Sequence, residues 1–234
     1  MSTAYALLNT NFVDAQEKQQ AMAQAGQLID WVRNRFGRGP FFGAWGIDEQ
    51  GFPDGRGCCS RSGEGSHTAR WAAINALYFA RTNDGQARED AFRSLNYATY
   101  FAGGDGRISC CGSDYHHVYW FSDGYSDYLR HFTAAMGAVP DFAPAGEDHL
   151  VHSTSVVKKI RYAPGQIGYE TFFAQAEDTI TLSFEPALVK AGSVRLNRRD
   201  DLAGDGYTLG VLADGNRILR IRHSGSEQIS ISVK

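Results

Sequence analysis

Asp54-Gly55-Arg56-Gly57-Cys58-Cys59-Ser60 and Asp105-Gly106-Arg107-Ile108-Ser109-Cys110-Cys111-Gly112-Ser113 hold all four cysteines of the chain. The Asp-Gly-Arg triplets lie 51 residues apart and the cysteine pairs 52 apart, which reads as a repeated unit the size of a helical hairpin. Each loop stands ahead of a polar cluster and then a helix. Two copies side by side would bring Glu64, His67 and Arg70 close to Asp114, Tyr115, His116 and Asp123. The sequence puts its candidate site on that shared rim.

Working outward, Met22, Ala25, Ile29, Val32 and Phe36 recur at steps of three and four and form one face of a helix over 14–36. Asp14 with Glu17 three residues later resembles a capping box, and Gly37-Arg38-Gly39-Pro40 ends the helix. A glycine-rich loop of about thirty residues follows, a length that is uncommon in compact domains unless it serves a site. The second helix, Ser66 to Arg81, is apolar on most sides, which predicts burial between others. A third runs from Gln86 to Phe101 and stops at Gly103-Gly104. A fourth begins near Ser122, carries Tyr128, Leu129, Phe132 and Met136, and ends before Pro140.

Beyond Pro140 the period changes. Residues 140–148 read as a linker, and then Ile180–Phe184, Ile218–Arg222 and Ile229–Val233 alternate apolar with polar. Pro164-Gly165, Asp205-Gly206 and Asp214-Gly215 are turn signals between strands, so the region predicts a small antiparallel β-sandwich. Helices first and strands second give an α+β chain, with a helical domain over 1–148 and a β-domain over 149–234.

At 234 residues and a formal net charge of −3, the chain has no basic footprint, and nucleic acid is excluded as an expected partner. Several of the eleven tyrosines fall in the polar stretches between 97 and 128, where rings beside carboxylates suit sugar faces and equally well seal helix contacts. The N-terminus lacks a basic start followed by a long apolar stretch, and there is no 18-residue apolar run. The expectation is therefore no membrane partner and a cytoplasmic chain as written, unless it is part of a longer exported protein.

The cysteines admit three readings. Cys-Cys neighbours fit zinc spacing poorly, and a cross-loop disulfide such as Cys59 to Cys111 requires an oxidising compartment. Small buried thiols are preferred. No phosphate-cradling glycine loop, metal-ligand helix motif or nucleophile elbow is present, so neither cofactor nor metal is expected.

Three stretches together carry a family likeness: Gly63-Glu64-Gly65-Ser66-His67-Thr68-Ala69-Arg70-Trp71, His116-His117-Val118-Tyr119-Trp120-Phe121-Ser122-Asp123-Gly124-Tyr125, and the strand pair 158–162 with 169–172. The chain resembles the C-terminal part of six-hairpin, (α/α)-toroid carbohydrate-active enzymes with a trailing β-domain. The resemblance implies a partial toroid of helical hairpins followed by the sandwich, and an oligosaccharide or glycoside as ligand. A toroid needs more helices than the four long ones offered here. The arc would be completed by another polypeptide, by a second copy in a homo-oligomer, or by the chain's own β-domain.

Glycoside hydrolysis needs two carboxyl groups across the scissile bond. Glu64 and Asp123 are the first choice, with Asp127 one turn later on the same helix face as Asp123. His67, Arg70, Asp114, Tyr115, His116, Trp120 and Tyr125 are the candidate substrate-binding residues. Each acid also has a plain structural use. Asp and Glu cap helix starts, and Asp127 can pair with Arg130 or His131. Two other readings stay open: a polysaccharide lyase, in which a tyrosine and histidine remove a proton beside a uronate and Arg70 or Asn75 neutralises the carboxylate, and a non-catalytic sugar-binding or structural portion of a larger enzyme.

Overall fold

The structure, a computed structural model, describes residues 1–48, 63–102 and 126–233, with the side chains of 126–128 outside the description. It is α+β, with five helices and three antiparallel sheets among the described residues, and it divides into two compact units, Met1–Val139 and Pro140–Lys234.

In the first unit, helix α1 (Ser2–Asn9) is followed by α2 (Ala15–Phe36), α3 (Gly65–Thr82), α4 (Gly85–Thr99) and α5 (Ser126–Ala138). The predicted cap of α2 forms: Asp14 Oδ1 accepts from Glu17 N at 2.8 Å. Its predicted face is the buried one, through Ala25, Ile29 and Val32. The helix over 66–81 is α3, and its all-round apolar character has the expected consequence, because it lies against α1, α2, α4 and α5 with Trp71, Ala72, Ile74 and Ala76 buried. The indole of Trp71 donates to Ile29 O at 3.3 Å, so the largest buried ring keeps its polar edge satisfied. Asn83 in the left-handed region closes α3, and Asp84 Oδ1 caps α4 by accepting from Gln86 N and Ala87 N, which makes the α3–α4 hairpin.

The structure corrects two expectations and adds a helix that the sequence did not announce. The glycine-rich stretch after α2 begins as a β-hairpin, β1 (Gly37–Phe41) with β2 (Ala44–Ile47), turning at Phe42 and Gly43, both with positive φ. Arg93 Nη1 donates to Phe42 O, and Ser94 Oγ accepts from Trp45 N, so α4 supplies hydrogen bonds that the local sequence does not announce. Helix α1 was not anticipated; it buries Ala4 and Leu8 one turn apart. Finally, five helices, of which α3 and α4 make one tight hairpin, do not support a toroid of helical hairpins among the described residues.

The second unit begins with a 3-10 turn at Pro140–Phe142, and residues of the expected linker bond within it: Asp141 Oδ1 accepts from Ala213 N, and Asp148 Oδ1 accepts from Ser183 N. One sheet has the order β3 (His149–Ser153), β6 (Ala176–Leu182), β10 (Arg217–His223), β9 (Gly206–Val211). The other has the order β4 (Val157–Ala163), β5 (Gln166–Thr171), β11 (Gln228–Ser232), β7 (Leu188–Ala191), β8 (Val194–Arg195). Alternation turns Ile180, Leu182, Leu219 and Ile221 of the first sheet and Ile167, Val189, Ile229 and Ile231 of the second into one shared core. The predicted turns at Pro164-Gly165 and Asp214-Gly215 are present, with Gly165 and Gly215 at positive φ.

Candidate functional site

Glu64 is set by its backbone before its side chain. Gly63 has φ +83, and a Cβ there would stand 2.6 Å from the carbonyl carbon of Gly46, so only glycine lets the chain pass this close to β2. Glu64 N then donates to Ile47 O at 2.8 Å, and Ile47 N donates to Thr68 Oγ1 at 2.9 Å, which pins the start of α3 to the hairpin.

Glu64 occupies the N-cap position of α3, yet its side chain makes no capping bond. Its carboxylate instead meets His67 one turn on, with Oε2 2.6 Å from Nδ1. The contact is an ion-pair approach that sets the carboxylate beside the imidazole edge. The Glu64 side chain is 5% exposed and that of His67 is 25% exposed. Arg70 follows after another three residues, and its Nε lies 3.3 Å from His131 Nε2 on α5. A guanidinium only donates, which makes Nε2 of His131 the acceptor and assigns its hydrogen to Nδ1.

Residues 64, 67 and 70 therefore line successive turns of α3. Two cavities open along this line. One, of about 300 Å³, is bounded by Met1, Tyr5, Arg70, Arg130 and His131, and the other, of about 200 Å³, by Met1, Trp31, Phe36, Asp48 and His67. Asp48, which lines the second, forms a buried ion pair with Arg38, Nη2 to Oδ2 at 3.1 Å. Carboxylate–imidazole and guanidinium–imidazole pairs beside a cavity are equipped to move a proton and to bind an anion.

Of the sequence candidates, Glu64 and His67 are in contact, and Arg70 stands one turn further along α3 at the edge of the other cavity. Asp114, Tyr115, His116, Trp120, Asp123 and Tyr125 lie outside the described residues, as do both cysteine loops and so every reading of the thiols. Position 127 is on the first turn of α5, with its side chain outside the description. His131, expected as a partner of Asp127, bonds to Arg70. Sequence reasoning missed Arg38, Asp48 and the Arg70–His131 pair; the last spans 61 residues, beyond any local pattern. Among the described residues no group of three or more His, Cys, Asp or Glu is arranged to hold a metal ion, and no helix is long and apolar enough to cross a membrane.

A second polar cluster lies inside the sandwich. Asp178 Oδ2 accepts from Tyr169 Oη at 2.7 Å and meets His223 Nε2 at 3.1 Å, while His223 Nδ1 lies 2.7 Å from Ala174 O. Burial lowers the His223 pKa, but the Asp178 carboxylate and the carbonyls around the ring outweigh it, leaving the pKa above the ordinary histidine value. Burial, and then the Asp178 charge, push the Tyr169 phenol well above its usual range.

Comparison with models of known families, with curated proteins and with solved structures finds no significant match for this chain.

Proposed function

We propose that the chain is a carbohydrate-active enzyme whose substrate is an acidic glycan, with His67 as the proton-transfer group, Glu64 as the residue that orients it, and Arg70 as the group that meets the substrate carboxylate. The observation that carries this reading is the Glu64 side chain. It stands at a helix N-cap, makes no capping bond, and lies in ion-pair contact with Nδ1 of a histidine that borders a cavity. A purely structural acid at that position would satisfy the helix amides.

The chemistry this supports is elimination. His67 Nε2 takes the proton from the carbon beside the uronate carboxylate, and Arg70 stabilises the charge that builds on that carboxylate. The carbon–oxygen bond to the leaving sugar then breaks as a carbon–carbon double bond forms, and the departing oxygen takes up a proton.

A second reading is hydrolysis by a carboxylate pair, Glu64 with Asp123 or Asp127. It is favoured by one observation: position 127 stands one turn ahead of His131 on the helix that reaches Arg70. The two readings differ in product. Incubation with a panel of uronate-containing and neutral polysaccharides is expected to give an unsaturated, ultraviolet-absorbing product from the former, abolished in Glu64→Gln and His67→Ala. New reducing ends without that absorbance would replace elimination by hydrolysis, and tight binding without turnover would make the chain a sugar-binding module.

A further inference from the structure

The outward face of the five-stranded sheet carries a row of charge across its strands. Register pairs Arg161 with Gly168, Gly168 with Ser230, Ser230 with Lys190, and Lys190 with Arg195. Directly paired residues share a face, and the neighbours Ile167, Val189 and Ile229 point into the core, so this row points out. With strands about 4.8 Å apart, Arg161 and Lys190 stand about 14 Å from each other, with Gly168 and Ser230 between them in the row and Glu170 and Gln228 beside these along the trough. A Cβ on Gly168 would come no nearer than 3.9 Å to the one atom in its vicinity, Ile229 O, and the trough measures about 290 Å³.

The face is cationic on balance, although Glu170 is paired in register with Lys159 on it. Lys158 Nζ holds Glu170 Oε1 at 2.6 Å and Glu227 Oε2 at 2.7 Å. Lys159, Arg161, Lys190 and Arg195 make no ion pair among the described residues. In a chain of net charge −3, these four cations against the one carboxylate charge that Lys158 leaves over are a local inversion of sign.

We propose that this face is a binding platform for an acidic polysaccharide strand lying across the sheet, with its carboxylates on Arg161 and on Lys190 with Arg195, and its backbone seated in the trough over Gly168. Charge complementarity selects an anion. Tyr169 and Ile229 border the trough, but both are buried in the core, so it offers neither the exposed apolar anchors of a protein interface nor exposed rings on which single-stranded nucleic acid stacks. The proposal shares with the preceding section only the choice of an acidic glycan. It concerns binding, in the unit that does not contain His67.

The test is titration of the full chain carrying Glu64→Gln, so that nothing is turned over, with polygalacturonate, with dextran as the neutral control and with a single-stranded oligonucleotide as the competing polyanion. Polygalacturonate is expected to bind, to weaken as salt rises from about 50 to about 200 mM, and to exceed both controls. Arg161→Glu with Lys190→Glu, and separately Gly168→Glu, is expected to weaken it by about tenfold or more, while Arg220→Glu on the other sheet stays within about twofold. Melting curves identify any variant that has failed to fold, and Gly168→Glu has open space for its side chain. Equal binding of dextran, tighter binding of the oligonucleotide, or unchanged affinity in the folded face variants would overturn the platform. None of these outcomes bears on elimination at His67, which is read from turnover of the unaltered chain.

Discussion

The Glu64–His67 pair of the helical unit and the Asp178–His223 pair of the sandwich join the same two chemical groups in opposite surroundings. In the sandwich both side chains are completely buried, and both imidazole nitrogens are committed, one to Asp178 and one to Ala174 O. A carbonyl only accepts, so Nδ1 carries hydrogen, and the carboxylate at Nε2 favours the charged ring. In the helical unit, His67 is a quarter exposed and borders a cavity. Having a carboxylate beside a histidine does not decide its role. A pair with every nitrogen spent inside a core is scaffold, whereas a pair whose imidazole borders a cavity has a route for a proton.

The strongest way to break the comparison is to remove each imidazole partner in turn. His67→Ala is expected to lower turnover of an acidic glycan by about 10²- to 10⁴-fold, with a smaller loss of melting temperature because the nearly buried Glu64 carboxylate loses its imidazole neighbour. A melting shift as large as that of a core variant, with turnover retained, would make His67 scaffold as well. Asp178→Ala is expected to cost about 3–5 kcal/mol in urea unfolding, since it strands a buried imidazolium and the Tyr169 hydroxyl. A loss under about 1 kcal/mol would show that the sandwich pair is not holding the core.

A smaller effect sharpens the helical side. Gly63→Ala is expected to cost about 1–3 kcal/mol, because the residue sits at φ +83 against the Gly46–Ile47 backbone, and to lower turnover as well by displacing Glu64. The smallest effect is the pH dependence of the sandwich. The folded-state pKa of His223 is raised, so its stabilisation is complete below the unfolded histidine pKa of about 6.5 and is lost as pH rises through the higher folded value. Unfolding free energies measured across neutral to mildly alkaline pH should therefore fall in the unaltered chain. They should lose that slope in His223→Gln; an identical slope in both would remove His223 as its source.

What was legible in the sequence follows from periodicity. Ala25, Ile29 and Val32 announced the buried stripe of α2, and the alternation in 180–184 and 229–233 announced strands with one face in the core, because periods of 3.6 and 2 leave a trace in any window longer than a turn or two. Helix α1, with only Ala4 and Leu8 buried, is too short to leave one. The β1–β2 hairpin was equally hidden, since Arg38-Gly39-Pro40 and Phe42-Gly43 read as breakers and only the bonds from Arg93 and Ser94 reveal what holds them. Glu64, His67 and Arg70 could be picked out as polar residues on one helical stretch, but not that Glu64 would abandon its cap, nor that Arg70 would take His131 as its partner.

The sequence by itself determined the α+β character, the change of period near Pro140, and the polar line at the start of α3, all of which depend on interactions within a few residues. Only the tertiary structure decided which carboxylate–imidazole pair is sealed and which borders a cavity, and that Arg161, Lys190 and Arg195 align around Gly168. Burial, cross-strand register and contacts between residues tens of positions apart are properties of the packed chain, and the free energy that fixes them is gained only when distant segments leave water together.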